Sequence, residues 1–115
     1  MSTVIWHNPK CSTSRKVLEM IRAKGIQPTV IDYQLTPPSA AQIKAALKAM
    51  GMQPRDLLPK KNTPYDDLGL DDPKLTGAQL VAAMAEHPLL IERPVVHTRK
   101  GTRLCRPAER LQEIL

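Results

Sequence analysis

Phenylalanine is absent from the 115-residue chain, and Trp6, Tyr33 and Tyr65 are its only aromatic residues. A chain so poor in flat rings gives little support to base-stacking recognition, and its core must rest on Leu, Ile, Val, Ala and Met. Cysteine is scarce too. Cys11 and Cys105 stand far apart, without the paired spacing of a zinc framework. No apolar run approaches membrane-spanning length, and the chain opens without a basic run followed by an apolar segment. The expectation is a cytoplasmic protein with no membrane association. In a reducing compartment its two thiols are either reactive or simply buried.

The length suits one compact domain spanning residues 1–115, and the balance of 42% hydrophobic to 24% charged residues is that of a globular chain rather than a disordered one. A net charge of +6 suits small anions and also a loose attraction to nucleic acid. No nucleic-acid motif supports the second, so no such partner is expected, and the chain is expected to be a monomer.

Val4-Ile5-Trp6, broken by Asn8-Pro9, reads as a short buried strand. Val17, Leu18 and Ile21 recur at helical spacing until Lys24-Gly25 stops them, and Thr29 to Tyr33 is a second, β-branched strand. That is a βαβ beginning. Ser39 with Gln42 has capping-box spacing ahead of Ile43, Ala46, Leu47 and Met50, and Thr76 with Gln79 repeats it ahead of Leu80, Val81 and Met84. Between those helices lie Pro54, Pro59, Pro64 and Pro73, and a mostly helical insert of single turns is expected there. Pro94 to His97 and Thr102 to Cys105 alternate around Arg99-Lys100-Gly101 as a hairpin, and Pro107 opens a final helix carrying Leu111, Ile114 and Leu115. The order predicts an α/β, thioredoxin-like fold: a mixed four-stranded sheet flanked by helices, with the helical insert between the second and third strands.

The chemistry concentrates in His7-Asn8-Pro9-Lys10-Cys11-Ser12-Thr13-Ser14-Arg15. A thiol is a useful nucleophile only when its pKa is brought down toward neutrality, and a helix amino end offers unpaired amide hydrogens and a positive dipole end. His7, Lys10 and Arg15 add charge or donors, while Asn8, Ser12, Thr13 and Ser14 can orient loop amides or bind a thiolate or oxyanion. The plain alternative, a small buried Cys11 among ordinary caps, leaves that clustering of charge unexplained. Cys105, at the end of an apolar strand, suits burial better than reactivity. His87 and His97 have no surrounding pattern of ligands.

These residues resemble the glutaredoxin-dependent arsenate reductase family, whose first strand leads into His-Asn-Pro-x-Cys and then Thr-Ser-Arg, here His7 to Cys11 and Thr13 to Arg15. Pro64-Tyr65, Leu68-Gly69-Leu70, His87-Pro88, Arg93 to Val96 and Gly101 to Pro107 resemble further blocks in the same order and spacing. The resemblance implies that the Cys11 thiolate attacks arsenate, that glutathione displaces a further oxygen ligand, and that glutaredoxin resolves the resulting protein–glutathione disulfide. Glutathione is then a co-substrate, no cofactor is bound, and the process is one of arsenic detoxification.

The same resemblance assigns the oxyanion to Arg93 and Arg106, whose planar forks match paired oxygens. From the loop itself, Asn8 and Ser14 are candidates to bind the anion, and His7 is a general acid, a polar strand end or an electrostatic aid to the thiolate. Pro94 corresponds to the cis-proline of thioredoxin-like folds. One departure stands out: where the family has an arginine, this chain reads Leu58-Pro59-Lys60-Lys61, so that Lys60 or Lys61 supplies charge without the fork. Two other functions compete. A redox-responsive transcriptional regulator of the same fold that contacts RNA polymerase would use Cys-x-x-Cys, but this chain has Cys11-Ser12-Thr13-Ser14. A thiol reductase acting on another substrate is the second.

Overall fold

The computed structural model describes residues 2–115. Contacts divide the chain into two compact units: the segment up to Thr36 together with Arg93–Leu115, and Pro37–Glu92.

The first unit holds all four strands. β1 (Val4–His7) leads through α1 (Ser12–Ala23) to β2 (Thr29–Asp32), and β3 (Val95–Thr98) and β4 (Gly101–Leu104) form the hairpin. The sheet order is β2-β1-β3-β4, with β1 parallel to β2, antiparallel to β3, and β3 antiparallel to β4. This is the mixed four-stranded sheet expected.

The strand period of two puts Ile5 and His7 on one face of β1, and both are buried. On α1 the buried residues are Ser14, Val17, Leu18 and Ile21, a stripe at i, i+3, i+4 and i+7. The apolar part of that stripe packs with Ile5, Val96, Cys105, Ala108, Leu111 and Ile114. Full burial of aliphatic side chains of this kind stabilises by about 1.5–3 kcal/mol each. Ser14 continues the stripe past its apolar part, so the same packing that seats α1 also seats a hydroxyl beside His7.

The final segment differs from expectation. Ala108–Glu113 is a 3₁₀ helix rather than an α-helix. The buried residues Ala108, Leu111 and Ile114 recur every third position, and three residues per turn is the period that puts all of them on one face.

In the second unit, α2 (Ala40–Met50) and α3 (Gly77–Glu86) both begin with complete capping boxes, Ser39 with Gln42 and Thr76 with Gln79. Gly51 ends α2 at φ 66°, a left-handed conformation suited to glycine. The stretch between these helices is less helical than expected. Only Pro54–Leu57 forms a short 3₁₀ turn. The prolines that follow interrupt any continuous hydrogen-bond ladder. Turns hold the segment instead, with the Leu70 amide bonded to the Tyr65 carbonyl, and the Arg55 guanidinium bonded to the carbonyls of Leu70 at 2.8 Å and Asp72 at 2.6 Å. No helix is long and apolar enough to cross a membrane among the described residues.

Candidate active site

Topology brings the site together. β1 and β3 run antiparallel with Trp6 opposite Val95, and β3 and β4 with Val95 opposite Leu104. The chain leaving β1, the chain entering β3 and the chain leaving β4 therefore meet at one end of the sheet. These are the Cys11 loop, Arg93-Pro94 and Cys105-Arg106. A 2.9 Å bond from the Cys105 amide to the Pro94 carbonyl carries the hairpin pairing one step further, and the Arg93-Pro94 and Arg106-Pro107 peptides are both cis.

Within the loop, the Cys11 amide donates to the Asn8 carbonyl at 3.0 Å and the Lys10 amide to Asn8 Oδ1 at 2.9 Å. The Arg15 guanidinium bonds the Pro9 carbonyl at 2.8 Å. Ser14, fully buried, accepts the Asn8 amide on Oγ at 3.0 Å and lies 2.7 Å from His7 Nδ1. All these groups are satisfied when the hydroxyl proton goes to Nδ1 and the ring proton sits on Nε2. Burial, with Arg22 and Arg15 in support and Asp32 opposing, holds His7 below its ordinary value. His7 is therefore a neutral ring at neutral pH, anchoring the loop through Ser14, and positive charge at the thiol comes from elsewhere.

Cys11 is the N-cap of α1, in extended conformation and half-buried. Burial acts to raise its pKa. The Ser14 amide, the Arg106 and Arg93 guanidinium groups and the Thr13 amide act against it, and together they prevail, so the thiol is lowered. Arg106 Nη1 lies 3.7 Å from Cys11 Sγ and 3.4 Å from the Arg93 carbonyl. Helix-end amides and two guanidinium groups thus converge on one sulfur, which favours a thiolate and leaves donors directed at an anion bound beside it. Cys105 is the opposite case: fully buried, its thiol is pushed up to about 12 by burial.

Cys11, His7, Asn8, Ser14, Arg93 and Arg106 all belong to this one cluster. Lys60 lies in the second unit, exposed, with its ammonium 5.8 Å from the centre of the Tyr65 ring, and Pro59 beside it is buried. One neighbour of the site escapes sequence reasoning. The parallel register pairs His7 with Asp32, which places the next residues, Asn8 and Tyr33, side by side. Tyr33 is buried, which raises its phenol above the ordinary range; the side chains of Arg93 and Asn8 oppose the rise, and Cys11 adds to it. Only the strand register could have revealed this, because Tyr33 by itself reads as a strand aromatic.

Residues 6–114 match the model of the ArsC family. An arsenate reductase of Rhizobium meliloti (strain 1021) is 49% identical over 115 residues, covering 100% of this chain and 82% of that protein. One from Escherichia coli is 51% identical over 111 residues, covering 96% and 79%. The structure of an arsenate reductase from Vibrio cholerae superposes with a TM-score of 0.95 at 45% identity, covering 100% of this chain and 98% of that one. The fold is therefore the thioredoxin-like fold of these reductases. A match along nearly the whole sequence, joined to a cysteine loop and arginine pair at one end of that sheet, means that this chain belongs to the ArsC family.

Proposed function

We propose that the chain reduces arsenate to arsenite with Cys11 as its single nucleophilic thiolate, glutathione and glutaredoxin supplying the electrons. The observation that carries this reading is the convergence of the Ser14 and Thr13 amides with Arg106 and Arg93 on the Cys11 sulfur. Similarity to named arsenate reductases at about half identity over the chain supports the substrate.

In this reading Arg93 and Arg106 hold the oxyanion while the Cys11 thiolate bonds to arsenic and one oxygen departs, after protonation, as water. The thiol of glutathione displaces a second oxygen in the same way. The two arsenic–sulfur bonds then give way to one sulfur–sulfur bond, each sulfur losing one electron, and the pair left on arsenic makes it As(III). The two-oxygen As(III) so formed takes up one water and leaves as arsenite, so one of the two waters released is returned, and a glutaredoxin thiol attacks the Cys11–glutathione disulfide to regenerate the thiolate. Arsenate and two thiols thereby give arsenite, one disulfide and water. Cys105, with its thiol pushed up to about 12, is too weakly ionised to serve as an internal resolving group, so the second thiol comes from outside. The cytoplasm, where glutathione is reduced, suits such a cycle, and the chain needs no resident cofactor for it.

Asn8 and Ser14 keep the loop amides aimed at the sulfur, and His7 locks Ser14. In sequence Lys60 follows the position of the missing arginine, and its ammonium is a point charge rather than a fork. The test is arsenate reduction by the purified chain with glutathione and glutaredoxin. Wild type and Cys105→Ser should turn over and Cys11→Ser should not; a wild type without turnover, or an active Cys11→Ser, overturns the reading.

A further inference from the structure

A cleft of about 390 Å³ opens beside the cysteine loop, lined by His7, Pro9, Arg15, Leu18, Glu19 and Arg22. We propose that it binds the γ-glutamyl end of glutathione, with the carboxylate on the Arg15–Arg22 pair and the ammonium on Glu19. The proposal rests on the reading above, in which glutathione is the reducing thiol, and it assigns that thiol a seat.

Position along α1 is the first argument. Cys11, Arg15, Leu18 and Arg22 follow at i, i+4, i+7 and i+11, one stripe of the helix, with Glu19 at its edge. At a rise of about 1.5 Å per residue, Arg15 lies about 6 Å and Arg22 about 16 Å beyond Cys11 along the axis. Helical side chains lean back toward the amino end, and an extended tripeptide spans about 10 Å. A peptide whose cysteinyl sulfur meets Cys11 is therefore long enough to bring its γ-glutamyl end to the cleft.

Charge is the second. Arg15, Glu19 and Arg22 are all exposed. Arg15 is partly committed to the Pro9 carbonyl, whereas among the described residues neither Glu19 nor Arg22 takes part in an ion pair. Two cations and one carboxylate around a cleft disfavour a bare dianion, which Glu19 repels, and suit a zwitterion carrying a carboxylate and an ammonium on one carbon. Leu18 gives the floor an apolar patch for the methylene groups.

The experiment has a binding arm and a kinetic arm. S-methylglutathione, which cannot react with the thiol, is titrated into isotope-labelled full-length protein. Saturable amide shifts should centre on Arg15, Glu19 and Arg22, disappear in Arg22→Glu and return in Arg22→Lys. In the coupled assay, Arg22→Glu should raise the KM for glutathione about tenfold, the equivalent of about 1.4 kcal/mol, with the KM for arsenate unchanged, and Glu19→Gln should raise it less. Wild-type KM values for glutathione in both variants, shifts centred elsewhere, or the same shifts from inorganic phosphate would overturn the assignment. If wild type does not use glutathione at all, the functional reading fails, and the titration still decides whether the cleft binds the peptide.

Discussion

Removing the Ser14 hydroxyl deprives the Asn8 amide and His7 Nδ1 of their shared partner inside a buried site. Ser14→Ala should therefore cost about 1–3 kcal/mol, read as a lowered denaturant midpoint, and should also slow Cys11 alkylation because the loop amides lose their aim. A variant with the stability of wild type would mean that the bonds to Ser14 hold nothing in place. The two cysteines provide a second contrast at this scale. With Cys105 pushed up to about 12 and Cys11 lowered, brief alkylation at neutral pH should modify one thiol per chain, and mass mapping should place it on Cys11. Comparable labelling of Cys105 in folded protein would show that its burial does not protect it. The guanidinium groups matter by shape as well as charge: Arg106→Lys keeps the cation but loses the fork, so arsenate turnover should fall while the fold persists.

Local signals were legible in the sequence where one element contains its own explanation. Both capping boxes, the stop at Gly51 and the stripe of α1 depend on residues within a few positions of one another, and each formed as read. The stretch from Met52 to Leu75, which reads as a mostly helical insert of single turns broken by prolines, forms a 3₁₀ turn at Pro54–Leu57 and hydrogen-bonded turns beyond it, because each proline lacks the amide hydrogen that a longer helix needs. The last segment departs from the sequence reading in period and not in burial. Ala108, Leu111 and Ile114 suit a 3₁₀ turn, and only the space against α1 and the sheet decides between the two helices. Leu111 is fully buried in that cluster, so Leu111→Ala should lower stability by about 2–5 kcal/mol in equilibrium unfolding. A loss much smaller than this would mean that the 3₁₀ segment is loosely docked. At the candidate site, Cys11, Arg93 and Arg106 were legible from the motif blocks. The partnership of His7 with Ser14 and the nearness of Tyr33 were not, because both follow from strand face and register.

At the scale of the whole molecule, residues separated by more than ninety positions meet because the ends of three strands lie at one end of the sheet. The lowering of the Cys11 thiol depends on that meeting: the helix-end amides come from one segment and the arginines from two others. Lys60 extends the question to the second unit. If it stands in for the family's arginine, Lys60→Ala should raise the KM for arsenate several-fold at similar kcat; an unchanged KM would leave Lys60 as a cation resting on Tyr65. The most direct measurement of the central claim is the alkylation rate of Cys11 against pH in Cys105→Ser protein. The account predicts a midpoint below the free-cysteine value of about 8.5, moving upward in Arg106→Ala, because a lowered acid stays ionised further toward acid pH. A midpoint at or above that value in the folded protein would contradict it.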